Sequence, residues 1–197
     1  MKAFLGALGA IVLVVIICAL YYWSSYNGLV SHDENVKQKW AQVQTDYQRR
    51  ADLVPNLVNT VKGAANFEKS TVVEVTEARA KVGSVQVDSN TLNDPALFKK
   101  FEAAQGQLSS ALSHLMVVME KYPDLKATAN FSELQSQLEG TENRISVARR
   151  DFNMAVQDYN TAIRRAPTNI IAGMTGFKER PYFEAAAGSE KAPEVKF

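Results

Sequence analysis

The chain has 197 residues, of which 46% are apolar and 22% charged, so it can form a globular core beside an accessory segment. Lys and Arg number 22 and Asp and Glu number 21, and this balance argues against a nucleic-acid-binding protein or a polybasic membrane-surface domain. The single cysteine allows no disulfide within this sequence and names no compartment.

The N-terminal stretch predicts a transmembrane helix. After a short flank at 1–3, residues 4–23 carry no charge and would span about 30 Å as a helix, which matches a bilayer core. Aromatic residues typical of a membrane interface follow. A cleaved signal peptide is an alternative, but Trp23 would stand where cleavage needs a small residue. A lipoprotein signal ending at Cys18 is another, and Ile16 is too bulky for it.

The charges that flank this segment favour one orientation only slightly. Lys2 and the amino terminus lie on one side, and Lys37, Lys39, Arg49 and Arg50 lie further away on the other. Because cytoplasmic flanks are enriched in basic residues, we expect the N-terminus inside and the soluble domain on the extracytoplasmic side.

The segment after the anchor predicts a long helix with one apolar stripe. Arg50 occupies a position on this stripe. Pro55 cannot donate to the carbonyl of Ala51 and should kink the helix, and Gly63 is the first stop signal. The stripe consists of Val36, Trp40, Val43, Tyr47, Val54, Leu57, Val61 and Ala64.

Three further helices are predicted, and no stretch indicates a strand. Apolar residues recur from Val72 to Val82, and residues 83–93 are predicted to be a loop. Asp94 and Pro95 form a helix start for a helix over roughly 95–122. The last helix covers roughly 131–165 and contains a heptad that repeats an aromatic residue and an alanine.

Helix lengths favour an all-α antiparallel up-and-down bundle of four helices over residues 29–165. A single helix over 29–82 would span about 81 Å, far more than the about 42 and 52 Å of the two later helices. A break near residues 63–67 gives two shorter helices, whose apolar faces the two later helices can cover. The alternative is a three-helix bundle on a stalk.

In the four-helix topology the segment 166–184 returns to the membrane. Basic and apolar residues there could bind the headgroup region, or the segment could simply cap the bundle end. The tail 185–197 is predicted to be disordered. The residues predicted to be membrane-proximal are Arg164, Arg165, Ile170, Ile171, Met174 and Phe177.

The best candidate site is a polar pair that fixes helix register. A buried arginine needs a partner, and its planar guanidinium suits a carboxylate. We therefore expect Arg50 or Arg49 to bond Glu139 or Glu142, with Asn143 alongside. The alternative is that these charges all lie on solvated faces.

No catalytic, metal or cofactor site is predicted. The two histidines and one cysteine supply no ligand cluster, and no phosphate-binding loop or catalytic triad motif is present. Glu139 and Glu142 have the one-turn spacing of di-metal bundles but lack the histidine that such sites add. We expect neither an enzyme nor a small-molecule substrate nor a nucleic-acid partner.

The chain resembles the LemA family of bacterial membrane proteins along nearly its whole length. The resemblance implies an N-terminal membrane helix and a long helical bundle, and it implies no reaction. Ala166 departs from the family, which tends to have an aromatic residue before this proline. The family has also been pictured with its N-terminus outside, which leaves the side of the domain open. The matching segments are Tyr26–Val30, Gln48–Val58, Val61–Gly63, Glu77–Arg79, Tyr122–Ala127, Leu138–Ile145, Ala148–Arg149, Tyr159–Asn160 and Asn169–Ala172.

These observations predict a single-pass scaffold or interaction protein of the bacterial cytoplasmic (inner) membrane. Its expected partners are the lipid bilayer, further copies of itself and other membrane proteins. One alternative is an accessory or sensor subunit of a membrane protease or envelope-stress complex. Another is an enzyme with an unrecognised carboxylate site.

Overall fold

The structure, a computed structural model, describes residues 2–63, 67–85 and 87–184. Within these residues it contains helices and no strand, which confirms the all-α fold class. The predicted disordered tail 185–197 lies outside the described residues. The helices are α1 (Lys2–Lys62), α2 (Lys69–Ser84), α3 (Pro95–Met119), α4 (Pro123–Lys126), α5 (Ala129–Arg164) and α6 (Thr168–Thr175), with a 3₁₀ turn at Ser89–Asn93.

Helix α1 joins the apolar N-terminal segment to the bundle without a break. It has 61 residues and therefore a length of about 92 Å. Its N-terminal part has a mean hydropathy of 2.8 and is exposed, and by length and composition it is the one helix of the described chain that could cross a membrane. Pro55 lies inside α1, which continues to Lys62.

Four helices form the bundle, as the length argument predicts. The alternative of one helix over residues 29–82 is wrong, because α1 ends at Lys62 and α2 begins at Lys69. α1 packs mainly on α5, and α2 packs mainly on α3. The chain runs away from the apolar segment in α1, back in α2, away again in α3 and back in α5.

Two apolar clusters line the bundle from end to end. The membrane-proximal cluster surrounds Trp40 and extends from Leu29 to Tyr47 on α1 and from Ile145 to Ile163 on α5. The distal cluster contains Val54 to Val61 of α1 together with much of α2 and α3. The two clusters meet at the level of Arg50, the largest of the fully buried side chains.

Helix boundaries differ slightly from the predictions. α3 ends at Met119 rather than near residue 122, and the short helix α4 follows it. α5 starts at Ala129 rather than at residue 131. The cause is Thr128, whose hydroxyl accepts a hydrogen bond from the Phe131 backbone N–H at 3.4 Å and caps the helix.

Candidate functional site on the helical bundle

Arg50 connects α1 with both α3 and α5. Its side chain is 1% exposed. Nη1 donates to the Ser109 hydroxyl at 2.6 Å and to Glu142 Oε1 at 2.8 Å. Nη2 donates to the Gln105 side-chain oxygen at 2.5 Å and to the Gln105 backbone carbonyl at 3.1 Å. The guanidinium also lies 5.0 Å from the centre of the Tyr47 ring.

The structure brings together only part of the predicted set. Arg50 and Glu142 form an ion pair, in which Glu142 is 45% exposed and Arg50 is buried. Arg49 is exposed, and Glu139 accepts a hydrogen bond from Gln135 at 2.9 Å instead of reaching Arg50. Asn143 is exposed on α5. Of the predicted alternatives the structure thus pairs Arg50 with Glu142, while Arg49 and Glu139 lie on the exposed surface.

The buried surroundings of Arg50 also change the pKa of Tyr47. Burial raises the pKa of the Tyr47 phenol, and the nearby Arg149 and Arg50 charges oppose that effect only in part. Tyr47 therefore stays neutral and acts as an aromatic surface for the Arg50 guanidinium. Sequence reasoning did not identify Gln105 and Ser109, the neutral acceptors on α3.

Pro55 has a structural consequence that links α1 to α2. A proline cannot donate to the carbonyl four residues earlier, which here belongs to Ala51. The Arg79 side chain of α2 donates to that carbonyl through Nε at 2.9 Å. Ala51 is buried, so an unbonded carbonyl there would be costly. The proline thus provides a docking point for α2.

Replacing Arg79 by Met should destabilise the bundle by about 1–2 kcal/mol, because the Ala51 carbonyl loses its donor. The same change in a Pro55→Ala background should cost less, since the introduced alanine has a backbone N–H that can bond the Ala51 carbonyl. Urea unfolding of both single variants and the double variant measures this coupling. Simple additivity would show that the two residues act independently.

Helix α6 lies beside the end of the apolar segment. The hydroxyls of Thr168 at the start of α6 and Tyr21 are 3.1 Å apart, and the Phe177 ring lies 6.1 Å from the Tyr26 ring. Ile171 is buried against the bundle, whereas Ile170 and Met174 are exposed. Arg164 and Arg165, which precede α6, are also exposed. The predicted membrane-proximal residues therefore cluster at one end of the bundle, with Ile171 facing inward.

After α6 the chain forms an extended segment, residues 177–184, which we call the strap. Asn160 of α5 accepts from the Arg180 backbone N–H at 2.9 Å and donates to the Arg180 carbonyl at 3.0 Å. Asn153 makes the same pair of hydrogen bonds with the backbone of Phe183, at 2.9 and 3.0 Å. Two asparagines one heptad apart thus hold the strap backbone.

The strap side chains are held as firmly as its backbone. Phe183 is 5% exposed and packs among the rings of Trp40, Phe98 and Phe152 at centroid distances of 4.9–6.1 Å. The Arg149 guanidinium also lies 4.6 Å from the centre of the Phe183 ring. Phe183 therefore completes the membrane-proximal cluster.

Arg180 makes an ion pair with Asp33 of α1. Arg180 Nη2 lies 2.7 Å from Asp33 Oδ1, and Arg180 Nη1 donates to Asn93. Both side chains of the ion pair are largely buried, and Lys37 adds a second contact to Asp33 at 2.9 Å. Burial raises the pKa of Asp33, but the hydrogen bonds and charges of Arg180 and Lys37 lower it by more, so the net shift is downward.

This ion pair predicts an acid-sensitive contribution to stability. Because the folded pKa of Asp33 lies below the unfolded value of about 3.9, its contribution is full above that value and is lost as the pH falls through the folded pKa. Asp33→Asn should destabilise the protein by about 1–2 kcal/mol at pH 7 and by progressively less as the pH falls below about 3.9 and through the folded pKa. Urea unfolding across this range tests it, with exposed Asp158→Asn as the control. A pH-independent difference would contradict the prediction.

The strap was not predicted from the sequence, because the residues that hold it, apart from two asparagines, form no periodic pattern. Asn153 and Asn160 occupy equivalent positions in the heptad that repeats Phe152 and Tyr159, but the aromatic and alanine pattern of that heptad indicates only an apolar seam. Arg180 carries no periodic pattern. The repeated asparagine is the one sequence signal that points to the strap.

The described residues contain no group of three or more His, Cys, Asp or Glu side chains that could hold a metal ion. Glu142 is engaged with Arg50, and His114 pairs with Glu74 on the surface at 2.8 Å. Glu102 accepts from Arg149 at 3.0 Å and from the Glu184 backbone N–H at 3.2 Å. Burial raises the pKa of Glu102, and the Arg149 charge opposes this shift.

The model of the LemA family matches residues 39–197, which include the whole strap and all of the bundle beyond the first turns of its first helix. The chain belongs to the LemA family. Similar proteins include the magnetosome protein MamQ 2 of Paramagnetospirillum magneticum, 29% identical over 81% of this chain and 64% of the relative. MamQ of Magnetospirillum gryphiswaldense is 29% identical over 83% of this chain and 66% of its own length.

A third relative of this LemA-family chain is a protein named LemA from Metamycoplasma hominis. It is 24% identical over 89% of this chain and 76% of its own length. The chain spans less than two thirds of the length of the magnetosome relatives. None of these names states a reaction.

Proposed function

We propose that this protein is a membrane-anchored helical bundle that acts as a self-associating scaffold or interaction protein of the bacterial cell envelope. The observation that carries the proposal is the continuity of α1 from the apolar segment into the bundle core. Residues 4–20 of α1 are exposed and apolar, whereas Leu29, Val36 and Trp40 of the same helix are buried in the bundle. An anchor in the cytoplasmic membrane therefore fixes the height of the bundle above the bilayer.

The outer face of α6 supports a position at the membrane surface. Ile170 is 63% exposed and Met174 is 76% exposed, and they lie four residues apart on the side of the helix away from the bundle. In an interface this face would contact acyl chains, while Arg164 and Arg165 would contact lipid phosphates. α6 would then act as a second, lateral contact with the bilayer.

A spin label at Ile170→Cys, in a Cys18→Ser background, should be accessible to oxygen and protected from a water-soluble nickel quencher when the full chain is in vesicles. The reason is that residue 170 would lie among lipid headgroups and acyl chains. Val117→Cys is the matched control, since Val117 is 67% exposed on the distal part of α3. Equal, water-like accessibility at both positions would contradict the membrane contact of α6.

Self-association is supported by apolar residues on the outer face of α5. Val147 is 47% exposed and Met154 is 57% exposed, and their spacing of seven residues places them on one helix face. Copies anchored in one membrane are confined to two dimensions and can pair along such a face. The surface is small, so the affinity would depend on that confinement.

Counting copies in sparsely loaded vesicles tests the proposed scaffold role. Fluorescently labelled full chain should bleach in two or more steps for most vesicles, and Val147→Glu with Met154→Glu should shift the distribution towards single steps. Single-step bleaching of the unsubstituted protein would overturn self-association. Recovery of the unsubstituted protein in the soluble fraction of cells would overturn the anchor.

The flanking charges support one side of the membrane for the bundle. We propose the extracytoplasmic side, because Lys2 directly precedes the apolar segment and the next lysine or arginine after it is Lys37. A cysteine at exposed position 117 should then react with an impermeant maleimide added to intact spheroplasts. Reaction only after lysis would place the bundle in the cytoplasm.

A further inference from the structure

The strap is held as a peptide ligand is held, by its backbone as well as by its side chains. Asn153 and Asn160 are separated by about 10.5 Å along α5. Residues 180 and 183 are separated by about 10 Å in an extended chain. This match lets each asparagine pair with the N–H and the carbonyl of one strap residue, a contact that does not depend on the side chain of that residue.

Two side chains of the strap, those of Arg180 and Phe183, make the contacts that depend on its sequence. Arg180 enters a polar site made by Asp33 and Asn93 and lies 5.6 Å from the centre of the Tyr159 ring. Phe183 fills an aromatic pocket whose other members belong to three helices. The site is therefore specific for an extended segment that has an arginine and, three residues later, an aromatic residue.

The pocket has a hydrogen-bond donor that the strap does not use. Trp40 is 3% exposed, and its indole Nε1 has no hydrogen-bond partner within the described residues. Beyond Glu184 the surface continues as a groove between α3 and α5 with a volume of about 410 Å³, lined in part by Lys99, Gly106 and Arg149. The strap therefore leaves one buried donor unpaired and borders an open groove at its C-terminal end.

The junction between α6 and the strap is a point at which the strap can change its direction. Gly176 ends α6 with φ of 81°, in the left-handed region that favours glycine, and the extended chain starts at Phe177. From Gly176 to Glu184 the chain can reach up to about 26 Å. Exchange therefore requires that the strap site of a neighbouring copy lie within that distance of Gly176.

We propose that this site is an exchangeable docking site, and that its second occupant is the strap of another copy of this chain. Every copy carries both the site and its ligand, and the membrane anchor holds both at the same height in neighbouring copies. Exchange of an identical element is a low-cost route to an oligomer. This inference rests on the proposed self-association and adds a second contact between the copies, beside the outer face of α5.

Two complementary variants test the exchange. The acceptor variant, Arg180→Ala with Phe183→Ala, keeps the asparagines and loses the strap side chains. The donor variant, Asn153→Ala with Asn160→Ala, keeps the strap and loses the asparagines. With a photo-crosslinking residue at exposed Tyr182 of the donor and different tags on the two variants, reconstitution together should give a donor–acceptor crosslink. The donor alone should give no crosslink that maps to the strap site of another copy.

A synthetic peptide of residues 177–184 provides a second measurement that does not need the donor to fold. Labelled peptide should bind the purified acceptor variant at least about tenfold more tightly than an acceptor variant that also carries Asn160→Ala, because two backbone hydrogen bonds are lost. Asn143→Ala, an exposed asparagine on the same helix, is the matched control and should leave binding unchanged. Circular dichroism checks that every variant keeps its helix content.

The outcomes separate this inference from the scaffold proposal. A donor–acceptor crosslink together with asparagine-dependent peptide binding supports the exchange. Self-association of the unsubstituted protein without a donor–acceptor crosslink overturns the exchange and leaves the scaffold proposal standing. Peptide binding that ignores Asn160 also overturns it. If the unsubstituted copies do not associate, both proposals fail.

Discussion

Replacement of Arg50 by Met is expected to lower the free energy of unfolding by about 3 kcal/mol. The guanidinium is buried and donates to Gln105, Ser109 and Glu142, so its loss leaves the buried Gln105 side-chain oxygen without this donor. Methionine fills part of the volume and replaces none of the hydrogen bonds. Urea unfolding followed by circular dichroism measures the effect.

The neighbouring arginine supplies the matched control. Arg49 is exposed on the same turn of α1, and Arg49→Met should change the stability by less than about 0.5 kcal/mol. Glu142→Gln should cost only about 1 kcal/mol, because Glu142 is half exposed and water screens its charge. If the effects of Arg50→Met and Glu142→Gln simply add in the double variant, the ion pair does not couple α1 to α5.

Replacement of Trp40 by Ala is expected to cost about 3–5 kcal/mol. Trp40 is 3% exposed, and its ring lies 5.2–6.1 Å from those of Phe98, Phe101, Phe152 and Phe183. The cavity would remove contacts of α1 with α3, α5 and the strap at once. Limited proteolysis should therefore cut the strap of this variant faster than that of the unsubstituted protein.

The only other tryptophan, Trp23, tests whether the loss of stability depends on the buried position of Trp40 or only on the loss of a tryptophan. Trp23 is 72% exposed at the end of the apolar segment, so Trp23→Ala should leave the unfolding of the bundle unchanged. Thermal unfolding in detergent compares the two variants directly. Equal losses from Trp40→Ala and Trp23→Ala would mean that the aromatic cluster around Trp40 does not dominate the stability of the membrane-proximal half.

The helices and their antiparallel order can be predicted because they depend on local and repetitive signals. The apolar stripe of α1, the Asp94 and Pro95 start of α3 and the length argument all act over short ranges. Asp94 indeed accepts from the Ala96 and Leu97 backbone N–H groups at 2.9 and 3.2 Å. The start of α5 differs from the prediction because Thr128, an equally good cap, lies just upstream of the predicted start.

The sites are harder to predict because they depend on long-range contacts between single residues. The position of Arg50 on an apolar stripe indicates a buried charge, but nothing in the sequence distinguishes Glu142 from Glu139 as its partner. The contact between Arg79 and the Ala51 carbonyl follows from Pro55 only when the location of α2 is known. Arg180 and Asp33 are separated by 147 positions, and no periodic pattern links them.

Crosslinking in native bacterial membranes, with mass spectrometry of the products, tests the central claim of a membrane-anchored, self-associating bundle most directly. We expect the protein in the membrane fraction and crosslinks between copies that map to the membrane-proximal half, near α6, the strap and the outer face of α5. Crosslinks only to subunits of a protease or another envelope complex would favour an accessory or sensor subunit. Recovery as an uncrosslinked soluble protein would contradict the account.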